Sequence, residues 1–334
     1  MIGRVPRRVL MVGIVIAASA CDNVSWGGVE MGLQGPAADS TNQTVDSLEP
    51  GAPPPPPPIP LGPILYAGVR QGDLARVYPV AEITEMGLNP LPGGAQEEQV
   101  ARQILASRLG VGESLILFHQ GVRVGRLDLT DGETTEGPYC GLRAQAEGRL
   151  QLIPPASGVQ RFLALEADLG RIHAFLPFQE LSSVYEQRVA SLNLGSQAVP
   201  LVGARWPPTL LEIRRDLQVF QLPEGEGPSV MATFLYRDQL QVGPAPTGAY
   251  SLMVLGEPRG STFDLTYSWY RDADANGKGA PRFFSRLDWD DDGDQEILLE
   301  VMGESNRWFA ALNRGPDGWI LTYQDPCGAP GSGT

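Results

Sequence analysis

The chain is poor in the residues that most enzymes use near neutral pH. It has two histidines and three cysteines in 334 residues. His119 and His173 stand apart in sequence, and His119 ends the apolar stretch Ser114–His119, where an imidazole reads as a structural residue before a base or a ligand. There is no G-x-S-x-G elbow, no P-loop, no G-x-G-x-x-G opening a helix after a strand and no H-E-x-x-H pair. Covalent acyl transfer therefore lacks its parts. A carboxylate-pair hydrolase survives these exclusions, because Asp and Glu pairs meet only in three dimensions. Lys278 is the only lysine among 25 basic residues, a bias that a GC-rich genome explains without any function. Acidic residues number 39, for a net charge of −14, and a body of this sign repels nucleic acid and anionic lipid headgroups. The apolar run Val9–Ala18 is about half the roughly 20 residues a membrane span needs.

What the chain does contain starts at its first residues. Arg4, Arg7 and Arg8 lead into that apolar run, which ends in small residues before Cys21. This is the layout of a bacterial secretory signal. Ala18-Ser19-Ala20-Cys21 resembles a lipoprotein box, with Ala18 where such boxes usually carry Leu. The resemblance implies cleavage before Cys21, lipidation of its thiol, and a place in the bacterial cell envelope facing the periplasm or the exterior. Ala18-Ser19-Ala20 also fits an ordinary A-x-A site cut at the same bond, which gives plain secretion. Cysteine arithmetic bears on the choice, since three cysteines in an exported protein leave one over. With Cys21 lipidated, Cys140 and Cys327 remain as a natural disulfide pair in an oxidising compartment. A multiply acylated cysteine would then hold the membrane that the acidic surface repels.

Four segments follow from composition. Residues 1–20 form the signal peptide. Residues 21–63 are rich in Ser, Thr, Asn, Gly and Pro and predict a disordered tether, with the hexaproline Pro53–Pro58 as an extended spacer. Residues 64–175 are β-rich with one helix, and 176–328 are β-rich again. Ser114–His119 and Val122–Leu129 read as a hairpin around Gln120-Gly121. Arg161–Glu166, Leu217–Leu222, Val230–Arg237 and Tyr250–Leu255 read as further strands. Phe263, Leu265, Tyr267 and Trp269 alternate with polar residues, the pattern of a half-buried strand. Pro316-Asp317-Gly318 marks a turn between Trp308–Leu312 and Trp319–Tyr323. Gln96–Leu109 and Ser183–Leu194 carry helical spacing, the second with a Ser183-x-x-Glu186 capping box and Gly195 as its stop. The fold class is mainly β with two short helices, as a sandwich or a partial propeller-like blade.

One motif carries chemistry. Asp288-Trp289-Asp290-Asp291-Asp292-Gly293-Asp294-Gln295-Glu296 sets carboxylates at positions 1, 3 and 5 and a glycine at position 6 for a sharp turn. Position 7 offers a carbonyl and Glu296 closes the shell at position 9. Calcium takes six to eight oxygen ligands in flexible geometry, which this loop supplies. Leu299 at position 12 excludes the helix–loop–helix version, and the flanks Phe283–Leu287 and Glu296–Met302 are strand-like. This setting resembles the calcium loop of FG-GAP (integrin-type) β-propeller repeats over residues 283–323. The resemblance implies that Asp288, Asp290, Asp292, Asp294 (through its carbonyl) and Glu296 bind Ca²⁺ and pin two strands together. No repetition elsewhere suggests a full propeller. Asp272-x-Asp274-x-Asn276-Gly277 begins alike, but with Ala280 at position 9 it reads as a turn.

Trp269, Trp289, Trp308 and Trp319 crowd the last quarter of the chain. Beside a calcium loop they raise the prospect of a sugar platform, although core filling is the more usual employment of such residues. The sequence therefore leads to an exported lipoprotein, membrane-attached at its N-terminus. Its calcium-stabilised β-domain would bind an envelope protein or a glycan, or serve a structural role, without catalysis. The alternative is a calcium-dependent glycan hydrolase with paired carboxylates.

Overall fold

The computed structural model describes residues 56–170, 177–316 and 318–329. The signal peptide, Cys21, most of the tether, His173 and Asp317 lie outside the described residues.

The first seven strands are β1 (Ile64–Gln71), β2 (Leu74–Thr84), β3 (Gly87–Asn89), β4 (Ser114–His119), β5 (Val122–Thr135), β6 (Arg143–Leu152) and β7 (Arg161–Glu166). Six of them pair in the order β1-β7-β4-β5-β6-β2, and β2 pairs back to β1. The result is a closed antiparallel barrel, with β3 added to β2. Closure removes the exposed edges an open sheet would present. Alternate residues Tyr66, Leu115, Leu117, Val124, Ala144, Ala146 and Phe162 fill its interior. Helix α1 (Glu97–Ser107) packs on β5 and β6 and adds Val100 and Ile104 to the same core. Residues 57–62, which composition assigns to the end of the tether, are docked on this helix. Ile59 N–H donates to Gln103 Oε1 at 2.8 Å, and Gln103 Nε2 returns a bond to Ile59 O at 2.7 Å.

Two four-stranded antiparallel meanders follow. One is β8 (Arg214–Gln221), β9 (Pro228–Tyr236), β10 (Tyr250–Arg259) and β11 (Thr262–Asp272); the other is β12 (Ala280–Leu287), β13 (Glu296–Met302), β14 (Arg307–Gly315) and β15 (Gly318–Gln324). Short helices α2 (Ala167–Gly170), α4 (Leu210–Ile213) and α5 (Ala273–Asn276) join elements, and α3 (Tyr185–Leu201) covers the outer face of the β8–β11 sheet. The two sheets share a core of Phe220, Met253 and Trp269 against Phe283, Leu299 and Trp308. The other face of the β12–β15 sheet packs on the barrel, with Phe284, Leu298 and Phe309 against Leu65, Phe118 and Leu163. The layers are thus helix, sheet, sheet and barrel. Every residue of β13 is buried because both faces of its sheet are covered. Burying each large apolar side chain stabilises such a stack by roughly 1.5–3 kcal/mol. The two β-rich parts of the sequence therefore fold onto one another in one unit, and the four-stranded blade is one leaf of a sandwich.

Three local readings need correction. Helix α3 runs past Gly195 to Leu201, because that glycine is a point of contact and not a stop. A Cβ there would lie 2.9 Å from the Phe234 ring, so only glycine lets the helix sit this close to β9. Its N-cap is Val184, whose N–H donates to Gln187 Oε1 at 2.9 Å, in place of the Ser183/Glu186 box. The alternation from Phe263 to Trp269 does not mark one face. Thr266 is an extra residue between the pairs Gly256–Leu265 and Leu255–Tyr267, so Phe263 and Leu265 face α3 while Tyr267 and Trp269 face the opposite core.

Candidate metal centre

The β12–β13 hairpin turns through residues 288–295 and brings three of its carboxylates together. Asp288, Asp290 and Glu296 each offer an oxygen, and these atoms lie within 4.8 Å of one another. Local geometry explains why. Asp291 and Gly293 take φ of +61° and +98°, left-handed values that aspartate tolerates and glycine favours. Gly293 N–H then donates to Asp288 Oδ2 at 3.1 Å, and Trp289 N–H donates to Glu296 Oε2 at 3.1 Å. These bonds fix one oxygen of each carboxylate and leave others free. Asp288 Oδ1 and Asp290 Oδ1 are buried without any hydrogen-bond partner among the described residues.

The electrostatics of this trio are adverse without a cation. Burial raises the Asp288 and Asp290 carboxyls above the ordinary carboxylate range, with neighbouring aspartates adding to the effect. Glu296, only 2% exposed, is pushed up to about 9 by burial and then by Asp290. Hard oxygen donors, desolvated, like-charged and unpartnered, are what a divalent ion such as calcium would neutralise. Asp292 and Asp294 are exposed at the rim. Asp292 Oδ1 accepts from Asp294 N–H at 2.8 Å and stands apart from the trio.

The second acidic turn is committed to capping. Asp272 Oδ1 accepts from Asp274 N–H and Ala275 N–H at the start of α5, and Asp274 Oδ2 accepts from Gly248 N–H. The tryptophan platform is absent as well. Trp269, Trp289, Trp308 and Trp319 are all buried in the cores. His119 is mostly buried beside the Phe178 ring, 5.8 Å between centroids. Burial holds it neutral, lowering its pKa to about 4, with the charges of Arg161 and Arg286 acting the same way.

A disulfide joins Cys140 to Cys327, Cα atoms 6.4 Å apart across 187 residues of sequence. It ties the β5–β6 connection of the barrel to the residues after β15. A buried ionic network that the sequence gives no sign of runs beside it. Arg143 pairs with Asp325 at 2.7 Å, and Glu300 in mid-β13 accepts from Arg282 and Arg307. No protein-family model, curated protein or solved structure matches the chain. Among the described residues, no helix is long and apolar enough to cross a membrane.

Proposed function

We propose that this chain is an exported, lipid-anchored protein of the bacterial cell envelope. Its β body acts as a non-enzymatic binding or structural module, stapled by one Ca²⁺ held by Asp288, Asp290 and Glu296. The observation that carries the calcium reading is the pair of buried, unpartnered oxygens Asp288 Oδ1 and Asp290 Oδ1, beside the buried Glu296. Such groups are normally satisfied by a partner, and a cation is the partner their charge calls for. Asp292 and the carbonyl of Asp294, at the open side of the loop, complete the proposed shell with water. The lipid reading gains support from the disulfide. It uses two of the three cysteines and leaves Cys21, in the lipobox-like sequence, as the third.

Melting of the full chain in calcium and in chelator tests the staple. At calcium a hundredfold above its dissociation constant, binding to the folded state alone adds about 2.7 kcal/mol. In a chain of this size that raises the melting temperature by roughly 4–5 °C. An unchanged melting temperature would remove calcium from the account. Mass spectrometry of the exported protein tests the anchor, with an acylated Cys21 as the expected N-terminus. Turnover of a glycan, lost on replacing one Asp or Glu outside the loop, would replace the module by the hydrolase.

A further inference from the structure

Arg286, in β12, is 6% exposed, yet among the described residues no acceptor receives a hydrogen bond from its guanidinium. The guanidinium stacks over the Phe220 ring, 5.9 Å from the centroid. Arg143 and Arg282 each have a carboxylate, whereas Arg286 shares its lack of one with Arg161, whose Nη1 is also buried without a partner. A desolvated, unpaired charge costs several kcal/mol, and a chain with 39 acids has no shortage of candidates to neutralise it.

Arg286 lines a cleft of about 350 Å³ between the β4–β5 turn of the barrel and the β12–β13 sheet. The cleft is built, not incidental. Gln120 N–H donates to Ser285 Oγ at 3.1 Å and Gly121 N–H to Arg286 O at 2.8 Å, docking the turn directly over the arginine. Gln120, Gln179 and Gln295 bring amides to the cleft, and Gln295 Oε1 is itself buried without a partner. Val122, Phe178 and Leu181 supply apolar surface.

We propose that this cleft binds a small acid sugar, a hexuronate in size and charge, with Arg286 receiving its carboxylate. A planar guanidinium matches a carboxylate in a two-bonded fork. One cation in the cleft suits a monoanion, and the acidic body disfavours more highly charged ligands. The three amides match hydroxyl groups, and the apolar residues match the C–H face of a pyranose. The inference supplies a ligand class to the binding-module reading and rests on it. It does not depend on the loop cation, whose melting test reads other residues, so either result can fail alone.

Calorimetric titration of the full chain with sodium glucuronate tests it, with glucose and inorganic phosphate in parallel. Glucuronate is expected to bind about tenfold or more tighter than glucose, and Arg286→Gln to lose that margin. Arg286→Gln should also melt higher than the parent when ligand-free, because it removes an unpaired buried charge. Gln179→Ala, at the exposed rim, should weaken glucuronate several-fold with melting unchanged. Equal binding of glucuronate and glucose overturns the proposal, as does tighter binding of phosphate. So does an Arg286→Gln protein that melts lower and keeps its glucuronate affinity.

Discussion

The Tyr139 hydroxyl donates to Glu300 Oε1 at 2.9 Å across the seam between barrel and sheet, with both residues buried. The same carboxylate receives Arg282 and Arg307, so one acid in the middle of an apolar strand satisfies three groups from three elements. Glu300 to Ala would leave two guanidinium groups and a hydroxyl without it, and the expected loss is about 3–5 kcal/mol. Tyr139→Phe removes a single hydrogen bond and should lose about 1–2 kcal/mol. Urea unfolding of the two variants checks the ratio. Similar losses would mean that the carboxylate is not the hub.

The disulfide should be measurable in the same way. Loop closure over 187 residues restricts the unfolded chain enough to stabilise the fold by about 5 kcal/mol on entropic grounds. The Cys140→Ser, Cys327→Ser double variant should therefore melt well below the parent, and reductant should bring the parent to a similar midpoint. A parent indifferent to reductant would show that the bond contributes little.

How much of this was legible in advance depends on what each feature needs to be seen. Ser114–His119, Arg161–Glu166 and Glu296–Met302 were readable to the residue, because apolar runs between turn residues leave few other choices. The Cys140–Cys327 pair followed from counting. The barrel did not, since closure depends on β1 meeting both β2 and β7, a long-range pairing with no local trace. The Thr266 bulge was hidden for a different reason: a one-residue slip leaves a period-two pattern intact while exchanging its faces. In the acidic loop, spacing marked Asp288, Asp290 and Glu296. It could not distinguish them from the exposed Asp292 and Asp294, because burial is set by the neighbouring sheet and turn. Arg286 carried no signal at all. An arginine in a strand ordinarily faces water, and only the stacked layers put this one inside.

His119 gives the fold a defined pH response. Its pKa is about 4 when folded against 6.5 in a free imidazole, so between these values the unfolded chain binds more protons. Stability is then fully present above about pH 6.5 and falls as pH drops toward 4, by up to about 3 kcal/mol. Burial sets the sign and the charges of Arg161 and Arg286 act with it, while a hydrogen bond with the Arg161 backbone opposes it. His119→Gln should flatten the difference in stability between pH 7 and pH 5. Parallel curves for parent and variant would show that the histidine does not titrate as argued.

The acidic loop makes a sharper prediction, because its variants should change sign with calcium. In chelator, Asp288 and Asp290 repel one another at close range beside a Glu296 that burial and their charges push to about 9, and no cation offsets their desolvation. Asp290→Asn keeps the shape, removes one charge and should raise the melting temperature under those conditions. In saturating calcium the same substitution removes a ligand oxygen's charge, and should lower both affinity and melting temperature relative to the parent. Asp291→Asn, one residue away but exposed and outside the trio, should shift neither by much. Crossing of the parent and Asp290→Asn melting temperatures as calcium rises is the signature of a carboxylate held for a cation. Two lines that never cross would mark the loop as an acidic turn whose charges are borne for some other reason.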